Sequence, residues 1–327
     1  MAPIKSNNPL ASYFDFFSKS GTDASDPYVL SNVKATGGTA VEPGNGYVYH
    51  VFTAPDTIVA TGADVNDVDW LVVAGGGAGG SYFGAGGGAG GYRVRSPNAG
   101  PRNSPTTITI SSSPIPVSVG NGGATSNAQG ADSVFGPITS TGGGGGATGG
   151  GGGTAGTTGG SGGGGGATNS VPVTPGWAGN TPPTSPPQGN DGGAGYYLGT
   201  YPAGGGGGAG GTGGDAGNNS SPGQPGGAGY PNPDFAAPHI APALTDAGIP
   251  SSEITAFTTA VGPTGLYAGG GAGASPVGTQ TGGSGGGGGP HIPGVNYTGG
   301  GAGGMNPPQG TDARVGGKGI VIIRYAV

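Results

Sequence analysis

Residues 142–166 read GGGGGATGGGGGTAGTTGGSGGGGG, and what orders such a stretch decides the fold. Glycine loses more conformational freedom on folding than any other residue and brings no side chain to a core. A flexible linker is the default reading of glycine with serine. Collagen is excluded, because glycine does not recur at every third position. The remaining ordered state is an extended threefold helix, with φ of about −75° and ψ of about +145° and no internal hydrogen bonds. Every amide and carbonyl then points outward and needs a partner. Neighbouring helices of the same kind, parallel or antiparallel, supply those partners, and the missing Cβ lets their backbones touch. The expectation is a polyglycine II helix bundle over residues 141–316, with isolated Ala, Thr and Ser marking outward positions or run ends.

Working outward, further runs lie near 189–195, 204–229, 269–274, 278–289, 299–304 and 316–319. Long Pro-rich loops join them and carry the unusual side chains: Trp177, Tyr196, Tyr197, Tyr201, Phe235, His239 and Tyr297. A pure spacer needs none of these. A short helix is expected where Ser251 or Ser252 can cap a segment with Glu253, Ile254, Phe257 and Val261 at spacings of three and four.

Leu, Ile, Val and Phe concentrate instead in residues 28–138 and in the last nine residues. Strands are expected at 47–53, 57–61, 68–74, 92–95, 106–111, 115–119 and 133–140. GIVIIRYAV, residues 319–327, is the most apolar strand of the chain. It needs a partner on each side, and residues 68–74 supply one. The fold class is therefore mainly β: a β-sandwich-like body over 35–140, closed by 317–327, with the glycine-rich bundle and long loops attached.

Of 327 residues, 87 are glycine and 31 proline, while 9 Lys+Arg against 15 Asp+Glu leave a net charge of −6. So few cations exclude a basic nucleic-acid face. The absence of cysteine excludes disulfides and thiolate metal sites. Neither a signal-peptide core nor a membrane-length apolar run is present, so membrane insertion is not expected. Gly75, Gly77 and Gly80 spell GxGxxG after a strand, but SYFGAGGGAGG stands where the motif needs a helix. Asp64, Asp67 and Asp69 read as a solvated turn before a cation site. His50 reads as a strand residue and His291 as a loop residue. No cofactor, metal or catalytic set is expected, and the chain reads as a non-enzyme.

WLVVAGGGAGG (70–80), VSVGNGG (117–123), SVFGPITSTGGGGG (133–146) and GKGIVIIRY (317–325), in that order, resemble the glycine-rich domain of tailed-phage fibre and appendage proteins. The leader, with IKSNNP and SYFDFFS, resembles the start of structural proteins of marine or cyanobacterial phages. The resemblance implies a virion protein, made in the host cytoplasm and exposed on the particle. It also implies a homo-oligomer, with trimers common, and adhesin loops that meet a host glycan or outer-membrane protein. Residues 1–34 would dock it to other virion proteins through Tyr13, Phe14, Phe16 and Phe17. The seven loop residues named above are the receptor-contact candidates. A capsid decoration protein or a self-assembling surface filament are the alternatives.

Overall fold

In the computed structural model, residues 32–150, 153–167, 173–197, 199–217, 222–278, 280–307 and 314–327 are described. The docking candidates Tyr13, Phe14, Phe16 and Phe17 lie outside them. Residues Met1–Val33 and Lys34–Val327 are separate units. The strands and helices of the described residues all belong to the second.

Its main strands are β1 (Ala35–Thr36), β2 (Thr39–Val41), β3 (Tyr47–Phe52), β4 (Asp56–Ala60), β5 (Asp69–Val73), β6 (Tyr92–Arg95), β7 (Ile115–Ser118), β8 (Ser133–Phe135) and β9 (Ile138–Ser140). Two-residue pairs β10 (Val173–Thr174) with β11 (Gly195–Tyr196), and β12 (Tyr230–Pro231) with β13 (Leu266–Tyr267), fasten loops. The last strand is β14 (Ile320–Ala326). One antiparallel sheet has the order β2-β3-β14-β5-β6, the other β1-β4-β7-β8-β9. The C-terminal strand is thus central, with β3 on one side and β5 on the other. Residues 106–111 form no ladder; Ile110 makes an isolated bridge to Val65. The expected strand 133–140 is split into a hairpin by Gly136, whose φ is 52°.

Period-two alternation sorts β14 between two layers. Ile320 and Ile322 join Tyr49, Leu71, Val73 and Tyr92 in a core with helices α1 (Ala237–Asp246) and α2 (Ser251–Val261). From the opposite register, β8 contacts β5 and β14, so the second sheet covers the other face. Helix α2 matches the expectation, but its N-cap is Pro250 and no side chain caps it. Helix α1 is hidden in the sequence by Pro238 and Pro242. The first is tolerated because first-turn amides have no helical partner. No described helix is long and apolar enough to cross a membrane.

On the sheet-to-sheet side, His50 is fully buried. Its Nδ1 lies 2.8 Å from the Gly37 carbonyl, which only an N–H can satisfy. Nε2 is then free to accept from the Tyr325 hydroxyl at 3.0 Å, and that oxygen accepts the Lys34 amide at 2.9 Å. Burial holds the imidazole below its ordinary value of 6.5, outweighing the bond to Gly37. The unfolded chain therefore takes up a proton near pH 6.5 that the folded chain refuses. The stability this histidine contributes is complete above that pH and declines as pH falls towards the folded value. Thermal melts from pH 7 to pH 5 should show that decline, and His50→Gln should flatten it. An equally steep slope in the variant would remove His50 as the cause.

The glycine runs form the expected bundle. Run 85–91 is its axis. Ala85, Gly88 and Gly91 donate to the carbonyls of Ala147, Gly144 and Thr141 at 2.9, 2.7 and 2.7 Å. Gly84, Gly87 and Gly90 donate to Met305, Ala302 and Gly299, and Gly86 and Ala89 to Gly204 and Gly207. Three other runs donate inward: Gly77 and Gly80 to Gly88 and Ala85, Ser161 and Gly164 to Ala89 and Gly86, and Gly271 and Ala274 to Gly87 and Gly84. Each neighbour recurs every third residue, which is the repeat of the threefold helix. Six chains thus surround one, three accepting from it and three donating to it.

Two expectations are corrected here. Residues 74–91 belong to the bundle and supply its axis, so 35–140 and 141–316 are interleaved parts of one unit. Strands β5, β9 and β14 run directly into or out of glycine helices. Secondly, alanine does not simply mark outward positions: Ala155 and Ala228 are exposed, but most alanines of the runs are interior. Ala78, Ala85, Ala89, Ala147, Ala203, Ala209, Ala272 and Ala302 have no exposed surface. Ala85, Ala147 and Ala203 pack on one another. A methyl fits where neighbouring helices leave an interstice, and there it adds apolar contact that glycine lacks.

Candidate functional site

The bundle has two poles. One is continuous with the sheets, at the level of Ala74, Gly91, Thr141 and Gly299. The other lies where Gly80, Ala85, Ala147, Ala203, Ala274 and Met305 meet, and there the runs turn back through loops. Large exposed apolar side chains collect at or beside this second pole. Tyr82 is 56% exposed, and Val173, Val277, Ile292 and Val315 are also exposed.

Tyr82 and Phe83 form the turn between the first two runs, the one place where SYF interrupts glycine. Across from them, the loop after β11 brings in Tyr197 and Tyr201. The Phe83 and Tyr201 rings lie 5.0 Å apart and the Tyr197 and Tyr201 rings 5.3 Å apart. Tyr196, half-buried in β11, ties this loop down by donating its amide to the Pro202 carbonyl at 2.8 Å. Trp177 sits on the bundle flank. Its amide donates to Gly163 at 2.9 Å, and its ring lies so close to Gly156 that a Cβ there would stand 2.3 Å from Trp177 Cδ1.

Phe235, His239 and Tyr297 are not at this pole. Phe235 is fully buried and Tyr297 is 4% exposed, both in the core with α1 and α2. His239 is half-buried and stacks on Tyr49 at 5.7 Å. Burial, then the positive charge of Arg324, holds its imidazole below the ordinary value. These three are corrected from surface contacts to structural residues. The loop of the first two, 230–260, folds into α1 and α2 over the sheet instead of projecting from the bundle.

What organises Phe235 and the rings beside it is Arg324, a cation within the most apolar strand and 4% exposed. Its Nη2 lies 3.0 Å from both Asp69 Oδ2 and Asp234 Oδ1, and its Nη1 donates to the Asp234 carbonyl at 3.1 Å. The guanidinium lies 4.2 Å from the Tyr47 ring centre and 5.5 Å from that of Phe235. Burial pushes the Asp69 carboxyl up, against the opposing pull of Arg324. For Asp234, burial acts upward too, but bonds from Asn98 and Ser96 and the charge of Arg324 together hold it below its ordinary value. The sequence does carry a signal here, a lone charge in GIVIIRYAV, though nothing nearby in sequence names its partners.

The acidic trio lines one cavity beside Arg324, but two of its members are engaged by cations. Asp67 lies 3.7 Å from Arg95, and Asp69 belongs to Arg324. No group of three metal-ligating side chains converges among the described residues. Gly75, Gly77 and Gly80 lie in a bundle helix with no α-helix after it.

No curated protein matches the chain. A family model described as a glycine-rich domain matches residues 53–326, from the end of β3 to the end of β14. That span holds both sheets' central strands and every run of the bundle, and on it the chain belongs to the glycine-rich domain family.

Proposed function

We propose that this protein is a non-enzymatic structural component of a phage particle, a tail-fibre or appendage adhesin that meets the host surface with the loops at the far pole of its bundle. In this reading residues 1–34 attach it to other virion proteins, and the assembled adhesin is a homo-oligomer. The observation that carries the reading is the collection of exposed apolar side chains at one pole, remote from the sheets. Soluble proteins rarely gather such residues in one place without a partner. Loops positioned by a rigid scaffold are also where binding residues concentrate. The resemblance of the strand-and-run order to phage appendage proteins supports the setting.

The test uses particles. Tyr197→Ala with Tyr201→Ala should lower the adsorption rate at least about tenfold, while Phe235→Ala should instead lower protein yield through the core. Deleting residues 1–34 should leave a folded body that is absent from purified particles. Full-rate adsorption both by the double variant and by particles lacking the chain would overturn the adhesin role, and normal incorporation of the truncated chain would overturn the anchor.

A further inference from the structure

We infer that Tyr82, Phe83, Tyr197 and Tyr201 form a single platform for a neutral saccharide, one or two pyranose rings of a host surface polysaccharide. The inference rests on the adhesin reading and narrows it to residues and a ligand class. Tyr82 and Phe83 come from a turn between glycine runs, outside the long loops that hold the other candidates.

Three observations converge on it. The first is contiguity: Phe83 touches Tyr201 and Tyr201 touches Tyr197, so rings from two distant segments make one surface. The second is backbone strain. Tyr82, Phe83 and Tyr201 have φ of 53°, 52° and 49°. Bulky residues seldom adopt this region, and such strain persists where surrounding structure enforces it, often at ligand sites. Glycine would serve each turn with less strain, and Tyr82 and Phe83 adopt this region in succession. At Tyr82 packing offers no reason for the ring, since 56% of it faces solvent.

The third observation concerns size and charge. Each ring has on the order of 200 Å² to offer. One half-exposed ring and three mostly covered ones leave on the order of 300 Å². A stable protein interface takes about 800 Å² from each partner, so the patch is too small for one. It suits a sugar ring, whose face of C–H groups stacks on aromatic faces while its rim hydroxyls stay hydrated. None of the ion pairs or cation–π contacts among the described residues involves these four rings. A charged sugar would call for a fixed counter-charge, and a neutral one does not. Phe83 and Tyr201, held by strained backbone and by each other, lose little freedom on binding.

The test is a glycan array with neutral and acidic arms, probed with the full-length protein, then titration of the best binder. The expected result is binding in the neutral arm that is unchanged between about 50 mM and about 500 mM salt. Tyr201→Ala should weaken it at least about tenfold. Tyr82→Gly is the sharper variant: it should weaken binding as much while melting at the wild-type temperature or above, since glycine relieves the strained φ. An empty neutral arm, binding confined to acidic glycans, or wild-type affinity in both variants would overturn the platform. Particles separate this from the adhesin reading. If particles with Tyr82→Gly adsorb at full rate and particles lacking the chain do not, the platform falls and the adhesin reading stands. If particles lacking the chain adsorb at full rate, both fall.

Discussion

Gly206→Val should yield a chain that does not fold at 37 °C. A Cβ built at Gly206 would stand 2.0 Å from the Gly87 carbonyl oxygen and 2.4 Å from its carbon. Both atoms are backbone of the axial helix, so no side chain can swing aside. Either run 203–209 moves away or the axis does. Moving the run away breaks the bond from the Gly206 amide to Gly271 and the bond from the Gly227 amide to Gly206, both 2.9 Å and between buried residues. Each buried group left unpaired costs about 1–3 kcal/mol. Four such groups, with the overpacking itself, reach on the order of 5–10 kcal/mol, comparable to the whole stability of an ordinary domain. Gly144→Val should behave alike, since its Cβ would lie 2.0 Å from the Thr157 carbonyl oxygen. Gly62→Val supplies the control, because no atom lies within 4 Å of a Cβ there. The measurement is soluble yield and thermal unfolding by circular dichroism. If Gly206→Val melts within a few degrees of Gly62→Val, the bundle is not held by backbone contact.

This all-backbone packing also explains what the sequence can and cannot reveal. The threefold helix is legible because a glycine run without a collagen period leaves few other ordered states. The strands 47–52, 69–73 and 320–326 are legible from β-branched runs, and the demand of the last one for two partners is met by β3 and β5. Which run neighbours which is not legible. Neighbour choice is normally written in side-chain shape, and residues 85–91 carry two methyls. The alanines are address labels, and most carry the reverse of the expected sense: Ala85, Ala147 and Ala203 mark an interior seam, while Ala155 and Ala228 face outward. Helix α1 is obscured by its own prolines. The pole residues Tyr82 and Phe83 are visible as the interruption SYF, but a three-residue break looks like a turn until its rings are seen against Tyr201.

Arg324 shows the opposite logic, a contact that depends wholly on side chains. Arg324→Met keeps the apolar stem and removes the charge, leaving the carboxylates of Asp69 and Asp234, 14% and 10% exposed, without their shared cation. Stranding a buried charge in this way costs about 3–5 kcal/mol. At about 2–4 °C per kcal/mol for a domain of this class, the melting temperature should drop on the order of 10 °C at neutral pH. Arg324→Lys should recover little, because a lysine cannot reach both carboxylates and the Asp234 carbonyl while lying flat on Tyr47. The pH dependence gives the sign. In the native protein the Asp234 carboxyl sits below its ordinary value of 3.8, so its contribution is present above that pH and is lost as pH falls through the folded value. In Arg324→Met, burial acts on both carboxyls with no guanidinium to oppose it, and their folded values rise. The folded variant then takes up more protons than the native protein, in which Asp69 alone is pushed up, and its gain in stability as pH falls from 6 towards 4 should exceed the native one. Asp69→Asn with Asp234→Asn in the same chain should restore much of the loss at neutral pH and abolish that gain. A variant that melts lower by the same amount at every pH, with no rescue from the paired asparagines, would mean that Arg324 acts by packing against Tyr47 and Phe235 and not through its charge.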